Sequence, residues 1–243
     1  MASLSCIVGA GALGQAFAAH LAAAGHAVLL LGTPRSASAL AEFGSIRLTG
    51  ASQLQVAVTP PPARGGVVAI TDDPLELVGG KGVLFTTKAH QLTAACDALR
   101  LLEPAWVAGV QNGLVKDDIL ANTFGPERVL GMATICSAGR KESGEVAVSS
   151  LGHSYVGELD GSSSERAASL AATLCAAGIP TDSAADIRSV TWSKACNAVG
   201  VFGVSVLTRT TAAEFFSDPD LLRAYLWLVR ETAAIATAHG VAL

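Results

Sequence analysis

Short apolar runs of strand length recur along the first half of the chain, and helical or loop segments separate several of them. Strands that alternate with helices predict a largely parallel sheet covered by helices on both faces. A first β-strand, an Ala-rich helix over residues 15–24 and a second strand form one βαβ unit within 35 residues. The apolar runs fall at residues 5–8, 27–31, 67–70, 83–87, 106–110 and 129–135.

The pattern changes after residue 135. Segments 145–148 and 153–157 are short and separated by Ser and Gly, which is typical of antiparallel edge strands, and a helix is predicted over 164–177. From residue 186 onward the apolar positions follow helical spacing, over 192–207 and again over 221–238. The sequence therefore predicts an α/β domain over residues 1–185 and a smaller all-helical domain over residues 186–243.

Composition excludes several classes of protein. With 51% hydrophobic and 15% charged residues, the chain is a folded protein rather than a disordered one. The 16 basic and 20 acidic residues are scattered and give a net charge of -4, so we expect no nucleic-acid partner.

Export, membrane insertion and metal binding are also not expected. Residues 1–24 lack the basic start of a signal peptide, and the longest later apolar stretch, residues 195–207, is too short to cross ~30 Å of hydrocarbon and predicts a buried core helix. The five cysteines show no paired spacing and the five histidines are scattered, which favours no disulfide framework, no metal site and reduced thiols in the cytoplasm.

The most informative motif is a glycine-rich turn between the first strand and the first helix. Gly9 permits a sharp turn, Gly11 leaves room for a pyrophosphate, and Gly14 allows the helix to pack on the strand. The start of that helix then offers free N–H groups to phosphate. The alternative is a purely structural turn. The predicted cofactor-binding residues here are Gly9, Ala10, Gly11, Ala12, Leu13 and Gly14.

The end of the second strand favours NADP over NAD. NAD-binding proteins place an acidic residue there to accept a hydrogen bond from the ribose 2′-hydroxyl, but this chain has no acidic residue before Glu42. Arg35 offers a bidentate cation for a 2′-phosphate, and Thr33 and Ser36 offer hydroxyl donors. The alternative for Arg35 is a solvated loop arginine.

Three polar residues are candidates for the chemistry. Lys88 and Asn112 directly follow two predicted parallel strands, at the edge where ligands bind in open α/β sheets. Lys194 lies at the head of the most apolar helix, where an unpaired lysine is costly and usually serves a function. The alternative for Lys194 is a lysine whose amine reaches solvent from a helix start.

Together with the glycine turn, the segments Thr87-Lys88-Ala89, Gln111-Asn112-Gly113 and Trp192-Ser193-Lys194 and the helix over 231–240 resemble the ketopantoate reductase family. The resemblance implies an N-terminal Rossmann-type domain, a helical C-terminal domain and NADPH-dependent reduction of a 2-keto acid. It implies that Lys194 donates the proton, that Lys88 and Asn112 lie at the nicotinamide end, and that Arg35 lies near the 2′-phosphate. Lys194 and Asn112 are the predicted catalytic residues.

The chain also departs from the family. Ala198 and Phe202 occupy positions where the family commonly has asparagines, and Asn197 stands one place early, so the predicted substrate-binding set is Lys194, Asn197 and Ser205. The family's chains continue further, and we expect a C-terminal domain that is truncated relative to them and that forms a homodimer over its apolar helix surface. The substrate is expected to be 2-dehydropantoate or a more apolar carbonyl compound. Alternatives are a β-hydroxyacid-type or imine reductase and a non-catalytic NADP-binding sensor or scaffold.

Overall fold

Twelve strands form one sheet in the computed structural model, which describes residues 4–77, 81–142 and 144–243. The order across the sheet is β12-β11-β8-β7-β6-β1-β2-β5-β4-β3-β10-β9. The strands are β1 (Leu4–Val8), β2 (Val28–Leu31), β3 (Ser45–Gly50), β4 (Leu54–Thr59), β5 (Val68–Thr71), β6 (Gly82–Phe85), β7 (Trp106–Gly109), β8 (Val129–Thr134), β9 (Ser137–Glu142), β10 (Glu145–Ser150), β11 (Ser154–Glu158) and β12 (Thr181–Ser183).

Seven parallel strands form the centre of the sheet, in the order β8-β7-β6-β1-β2-β5-β4. Strand β1 pairs in parallel with β2 on one side and with β6 on the other, so the strand order reverses at β1. A crevice opens at the carboxyl ends of the strands where the order reverses, and ligands of open α/β sheets bind there. The prediction of an α/β fold with a mostly parallel sheet is confirmed.

Eight α-helices and two short 3₁₀ helices, Pro74–Glu76 and Pro126–Arg128, are present in the part of the chain that the structure describes. The α-helices are α1 (Ala12–Ala23), α2 (Pro34–Phe43), α3 (Ala89–Ala98), α4 (Lys116–Phe124), α5 (Glu165–Ala176), α6 (Ile187–Thr208), α7 (Ala212–Ser217) and α8 (Pro219–Ala238).

Two apolar cores lie on opposite faces of the sheet. Alternate residues of β1 point to opposite faces, so Ile7 belongs to the core under α1, α2 and α5, whereas Cys6 and Val8 belong to the core under α3 and α4. Phe17 of α1 is fully buried in the first core, and Phe85 of β6 is fully buried in the second. This double coverage explains why the central strands are continuous apolar runs rather than alternating ones.

The prediction of edge strands at 145–148 and 153–157 needs correction. These segments form β10 and β11, but each has neighbours on both sides: β10 is antiparallel to β9 and parallel to β3, and β11 is antiparallel to β8 and parallel to β12. The outermost strand β9 is polar and exposed at nearly every position, so it carried no hydrophobic signal in the sequence.

The helices after the sheet begin at Ile187, and α6 packs against α8 and β8. At the start of α6, the Ser189 hydroxyl donates to the Ala242 carbonyl at 2.7 Å and the Arg188 guanidinium donates to the His239 carbonyl at 3.1 Å. The final residues of the chain are therefore bonded to the first turn of α6. The last long helix begins at a cap, because the Asp218 carboxylate accepts hydrogen bonds from the N–H groups of Asp220 and Leu221.

Helix α6 is not the buried core helix that its sequence predicts. Its buried residues are Ile187, Cys196, Gly200 and Val204. Only the sides toward the sheet and toward α8 are covered, so the remaining apolar surface faces outward. By length and hydropathy alone α6 could cross a membrane, which is weak evidence because it packs on the sheet and on α8. The exposed apolar side chains of α6 and α8 include Val199, Phe202, Val206, Leu207, Leu226, Trp227 and Ile235.

Candidate active site

The turn after β1 is built for glycine at two positions. Gly9 has φ +114°, and a Cβ there would lie 2.8 Å from the Thr87 nitrogen, while a Cβ at Gly14 would overlap the Gly9 carbonyl. The Thr86 hydroxyl donates to the Gly9 carbonyl at 2.8 Å and so fastens the turn to the end of β6. A side chain at Gly9 or Gly14 would therefore displace the backbone that joins β1, α1 and β6.

Gly11 has a different role, because the space around it is open. A Cβ at this position would meet nothing within 4 Å, and Gly11 caps α1 without any side chain over the helix start. The first turn of α1 carries no acidic residue, so the positive end of the helix dipole is not neutralised. The free N–H groups of this turn can therefore bind phosphate oxygens.

A cleft of about 1010 Å³ begins at this turn and follows the carboxyl ends of the central strands. It passes the start of α2 at Thr33 and Ser36, the end of β6 and the segment after β8, and reaches α6 at Lys194. Its size and its open glycine turn fit a dinucleotide. The predicted site residues that line it are Gly9, Ala10, Gly11, Ala12, Leu13, Lys88, Asn112 and Lys194.

Gly14 and Arg35, two of the predicted cofactor-binding residues, do not line the cleft. Gly14 is buried where α1 packs on the turn, so its part is structural support for the other glycines. Arg35 is exposed in the first turn of α2, between Thr33 and Ser36, which both line the cleft. The Thr33 and Ser36 hydroxyls are 3.0 Å apart, and each also bonds the backbone of the other residue to cap α2.

Asn197 and Ser205 are likewise not brought to the cleft. The Asn197 Oδ1 accepts a hydrogen bond from the Tyr225 hydroxyl at 2.8 Å, so this side chain is directed to α8. Ser205 lies 11 residues after Lys194, on nearly the same side of α6 but roughly 16 Å further along the helix axis. Their proposed contacts with substrate would need a movement that this structure does not contain.

Lys194 lies where the large cleft meets a small cavity, and it lines both. Burial, and secondly the positive charge of Lys116, lower the pKa of Lys194 from 10.5 to about 8. At neutral pH the side chain is still mostly an ammonium, but it releases its proton far more readily than a solvated lysine. Such a group suits proton donation near neutral pH.

Lys116 is a residue that the sequence analysis missed. It is the first residue of α4, its side chain is only 3% exposed, and its Nζ lies 2.6 Å from Oδ1 of Asp117. It lines the small cavity together with Lys194 and Asn112. In the sequence, Lys116-Asp117-Asp118 resembles an ordinary solvated helix start, and no local pattern reveals that the lysine is buried.

Gln111 joins the ends of two strands beside the cleft. Its Nε2 donates to the Phe85 carbonyl at 3.0 Å and to the Thr87 carbonyl at 3.1 Å, so the segment after β7 is bonded to the segment after β6. These bonds bring Lys88 and Asn112, the next residues along the two segments, to the same part of the cleft.

Other cleft residues that sequence reasoning did not identify are Asp72, Cys136 and Arg140. Burial raises the pKa of Cys136 to about 11, so this cysteine is a protonated thiol at neutral pH and a poor nucleophile. Asp72 follows β5 and adds a carboxylate to the part of the cleft near α2. Arg140 is exposed on β9 and adds a cation to the cleft wall.

Comparison with known proteins decides the family. The family model described as "Ketopantoate reductase PanE/ApbA" matches residues 5–161, more than half of the chain. The chain belongs to the ketopantoate reductase family. It is therefore an oxidoreductase, and the resemblance inferred from its motifs is confirmed.

Curated members of the ketopantoate reductase family align with most of the chain. A 2-dehydropantoate 2-reductase of Archaeoglobus fulgidus is 27% identical over 230 residues, which is 94% of this chain and 70% of the relative. One from Halobacterium salinarum is 27% identical over 240 residues, covering 98% of this chain and 76% of the relative.

Solved structures confirm the fold of this family. The 2-dehydropantoate 2-reductase from Geobacter metallireducens superposes with a TM-score of 0.85 at 24% identity, over 98% of this chain and 77% of that one. D-mandelate dehydrogenase, in a ternary structure with NADH and anilino(oxo)acetate, superposes with a TM-score of 0.84 at 21% identity, over 100% and 76% of the two chains.

Proposed function

We propose that this member of the ketopantoate reductase family binds NADPH in the large cleft and reduces a 2-keto acid resembling 2-dehydropantoate to the 2-hydroxy acid. The observation that carries the proposal is the position of Lys194. This half-buried lysine, with its depressed pKa, stands in the same cleft as a glycine turn open to phosphate. The names of the curated relatives support the substrate class.

The residues present fit a nicotinamide dinucleotide. The N–H groups at the start of α1 would hold the pyrophosphate, and the open space at Gly11 would admit it. Lys88 and Asn112, whose segments Gln111 bonds together, would hold the nicotinamide end. A 2′-phosphate would lie at the start of α2, where Thr33 and Ser36 line the cleft and the exposed Arg35 side chain is close enough in sequence to turn toward it.

NADH is the competing cofactor, and Asp72 favours it. A carboxylate near the start of α2 can accept hydrogen bonds from ribose hydroxyls, but it repels a 2′-phosphate. We favour NADPH because the end of β2 offers hydroxyls and a guanidinium rather than an acid. Binding of the two cofactors to the wild type and to an Arg35 variant separates these cases.

NADPH bound in the cleft would supply the hydride for the keto carbon. Negative charge then develops on the keto oxygen, and the Lys194 ammonium stabilises that charge and donates a proton from Nζ to the oxygen. Hydride and proton together convert the ketone to the alcohol and leave Lys194 as a neutral amine, which regains a proton from water. Asn112 lines the cleft and the small cavity beside Lys194 and would orient the substrate carbonyl.

The lining near Lys194 favours a substrate with an apolar side chain. Ala198 lines the small cavity where the family pattern has an amide, and Met132 and Ala133 contribute apolar surface next to it. Phe202, at the second such position, is exposed. Because apolar groups cannot replace the hydrogen bonds of a substrate hydroxyl, we expect the chain to prefer apolar 2-keto acids over hydroxylated ones.

Oxidation of NADPH in the presence of a panel of 2-keto acids tests this function. We expect turnover with at least one branched apolar 2-keto acid. Because the donor must be protonated, kcat/KM should fall above about pH 8 and approach a tenfold loss per pH unit. Tight NADPH binding without turnover on any 2-keto acid would contradict the proposal and favour a cofactor sensor.

A further inference from the structure

Lys116 is a buried cation that lines the same small cavity as the proposed proton donor, Lys194, and its position contributes little to the stability of the fold. Lys116 occupies the first position of α4, where the positive end of the helix dipole disfavours a cation. Its side chain is almost fully buried, which adds a desolvation cost. Its ion pair with Asp117 joins neighbours in sequence, so this bond does not connect separate elements of the fold.

Lys116 and Lys194 come from distant parts of the chain and line the same small cavity. Lys116 reaches it from the start of α4, and Lys194 reaches it from α6, and Asn112 and Gly113 also line it. Two ammonium groups that share a poorly solvated space repel each other, and the one without a carboxylate partner is the easier to deprotonate. Lys116 pairs with Asp117, whereas Lys194 has no ion-pair partner among the residues that the structure describes. Lys194 is the more exposed of the two and also faces the cleft.

We propose that Lys116 is a positioning residue for the reductase, whose fixed buried charge makes the Lys194 ammonium a stronger proton donor to the substrate. Asp117 holds the Lys116 amine in place at 2.6 Å. Lys116 itself exchanges no proton with the substrate and acts only through Lys194. The inference rests on the proposed role of Lys194, but the charge coupling between the two lysines can be measured without any substrate.

Few other charged groups lie near Lys194. Among the described residues, Lys116 is the only charged side chain that lines the small cavity besides Lys194 itself, and the cleft adds Asp72, Lys88, His90, Cys136 and Arg140. Of these, the charge of Lys116 is the one that acts on the pKa of Lys194.

Elements packed against α6 bring further titratable groups, which have their own partners or face solvent. On β11, Glu158 is bonded to Arg166 and the Tyr155 ring contacts His153. On α7, Glu214 bonds Thr211, and on α8 Asp220 pairs with Arg223, Tyr225 bonds Asn197, and Arg230 and Glu231 are exposed. His239 contacts Trp192. Strand β8 carries no ionisable side chain.

The direct test is a pH titration of Lys194 by NMR in the full-length protein labelled with ¹³C at the lysine ε-carbons. The Lys194→Arg variant identifies its signal. We expect a midpoint near 8 in the wild type, raised by roughly 0.5 to 1 pH unit in Lys116→Gln, which removes the charge but keeps a donor for Asp117. The basic limb of the kcat/KM profile should move by the same amount, with KM for NADPH unchanged.

Three further variants make the result decisive. Lys116→Arg keeps the charge, so its Lys194 midpoint should stay within about 0.2 pH unit of the wild type, as should that of Lys81→Gln, which removes an exposed lysine at the opposite edge of the sheet. Lys116→Met serves as the second charge-removing variant if Lys116→Gln does not fold. An unchanged Lys194 midpoint in a folded charge-removing variant overturns the inference, whereas an absence of turnover with a shifted midpoint overturns only the proposed function.

Discussion

One end of the cleft is formed mainly by backbone groups, and the other end is formed by side chains. The proposed phosphate end consists of backbone: Gly9 and Gly14 are fixed by close contacts, and Gly11 leaves open space in front of α1. The other end consists of side chains, with Lys194 from α6 and Lys116 from α4 brought together across more than 70 residues of sequence. A backbone site tolerates little change in sequence, whereas a side-chain site can change its chemistry by single substitutions while the fold remains.

Removal of the proposed proton donor should have the largest effect. In Lys194→Ala we expect kcat to fall by roughly 10²- to 10⁴-fold, because general acid catalysis is lost, while NADPH affinity stays within about twofold. Steady-state kinetics and fluorescence titration measure the two quantities, and Lys81→Ala is the matched control. Wild-type turnover in Lys194→Ala would show that the side-chain end does not perform the proton transfer.

A side chain placed in the phosphate space should produce the next largest effect. A Cβ at Gly11 would meet no protein atom within 4 Å, so we expect Gly11→Val to fold, but its methyl groups would occupy the space for the pyrophosphate. We expect NADPH affinity to fall by roughly 100-fold, about 2.7 kcal/mol. The control is Gly139→Val, which also adds a side chain in open space but outside the cleft lining. Equal affinities in the two variants would place the pyrophosphate elsewhere.

Loss of the Arg35 cation tests which cofactor the phosphate end selects. In Arg35→Ala we expect NADPH binding to weaken by roughly ten- to hundredfold, about 1.5 to 3 kcal/mol, with NADH binding unchanged. Arg64→Ala, in the exposed loop before β5 at the opposite edge of the sheet, should bind both cofactors as the wild type does. If Arg35→Ala weakened the binding of NADPH and NADH equally, a contact between Arg35 and the 2′-phosphate would be ruled out.

The smallest effect on the cleft is expected from changes on the outer surface of the C-terminal helices. The predicted homodimer through these helices would double the 24.5 kDa mass of one chain to about 49 kDa in light scattering at micromolar concentration. Trp227 is 63% exposed on α8, and Trp227→Glu should shift the mass toward the single chain with little change in NADPH affinity. A wild-type mass of one chain would exclude the dimer.

The central sheet was predictable because its strands are buried on both faces. Segments such as β2 and β7 are continuous apolar runs, and their sequence shows burial directly. Strand β9 could not be found in this way, because its exposed residues Arg140 and Lys141 pack on no core. In α6 the error was the reverse. Its apolar sequence predicted a buried helix, but only a few of its residues are buried in the structure.

The same contrast applies to the site. The glycine turn was predictable because its requirements are local: a turn, a helix start and a close approach within six residues. Lys116 was not predictable because its burial depends on packing between α4 and elements far away in sequence. Asn197 stands close to Lys194 in sequence, yet its hydrogen bond with Tyr225 directs it to α8, which only the tertiary structure reveals.

The bonds that join the chain's final residues to the first turn of α6 have a practical consequence for protein engineering. Ala242 and His239 accept hydrogen bonds from residues only one to two helical turns before Lys194. An affinity tag fused after Leu243 would therefore begin beside the helix that carries Lys194. The amino end of β1 lies at the opposite edge of the sheet from the cleft, so purification handles belong there when kinetic measurements are planned.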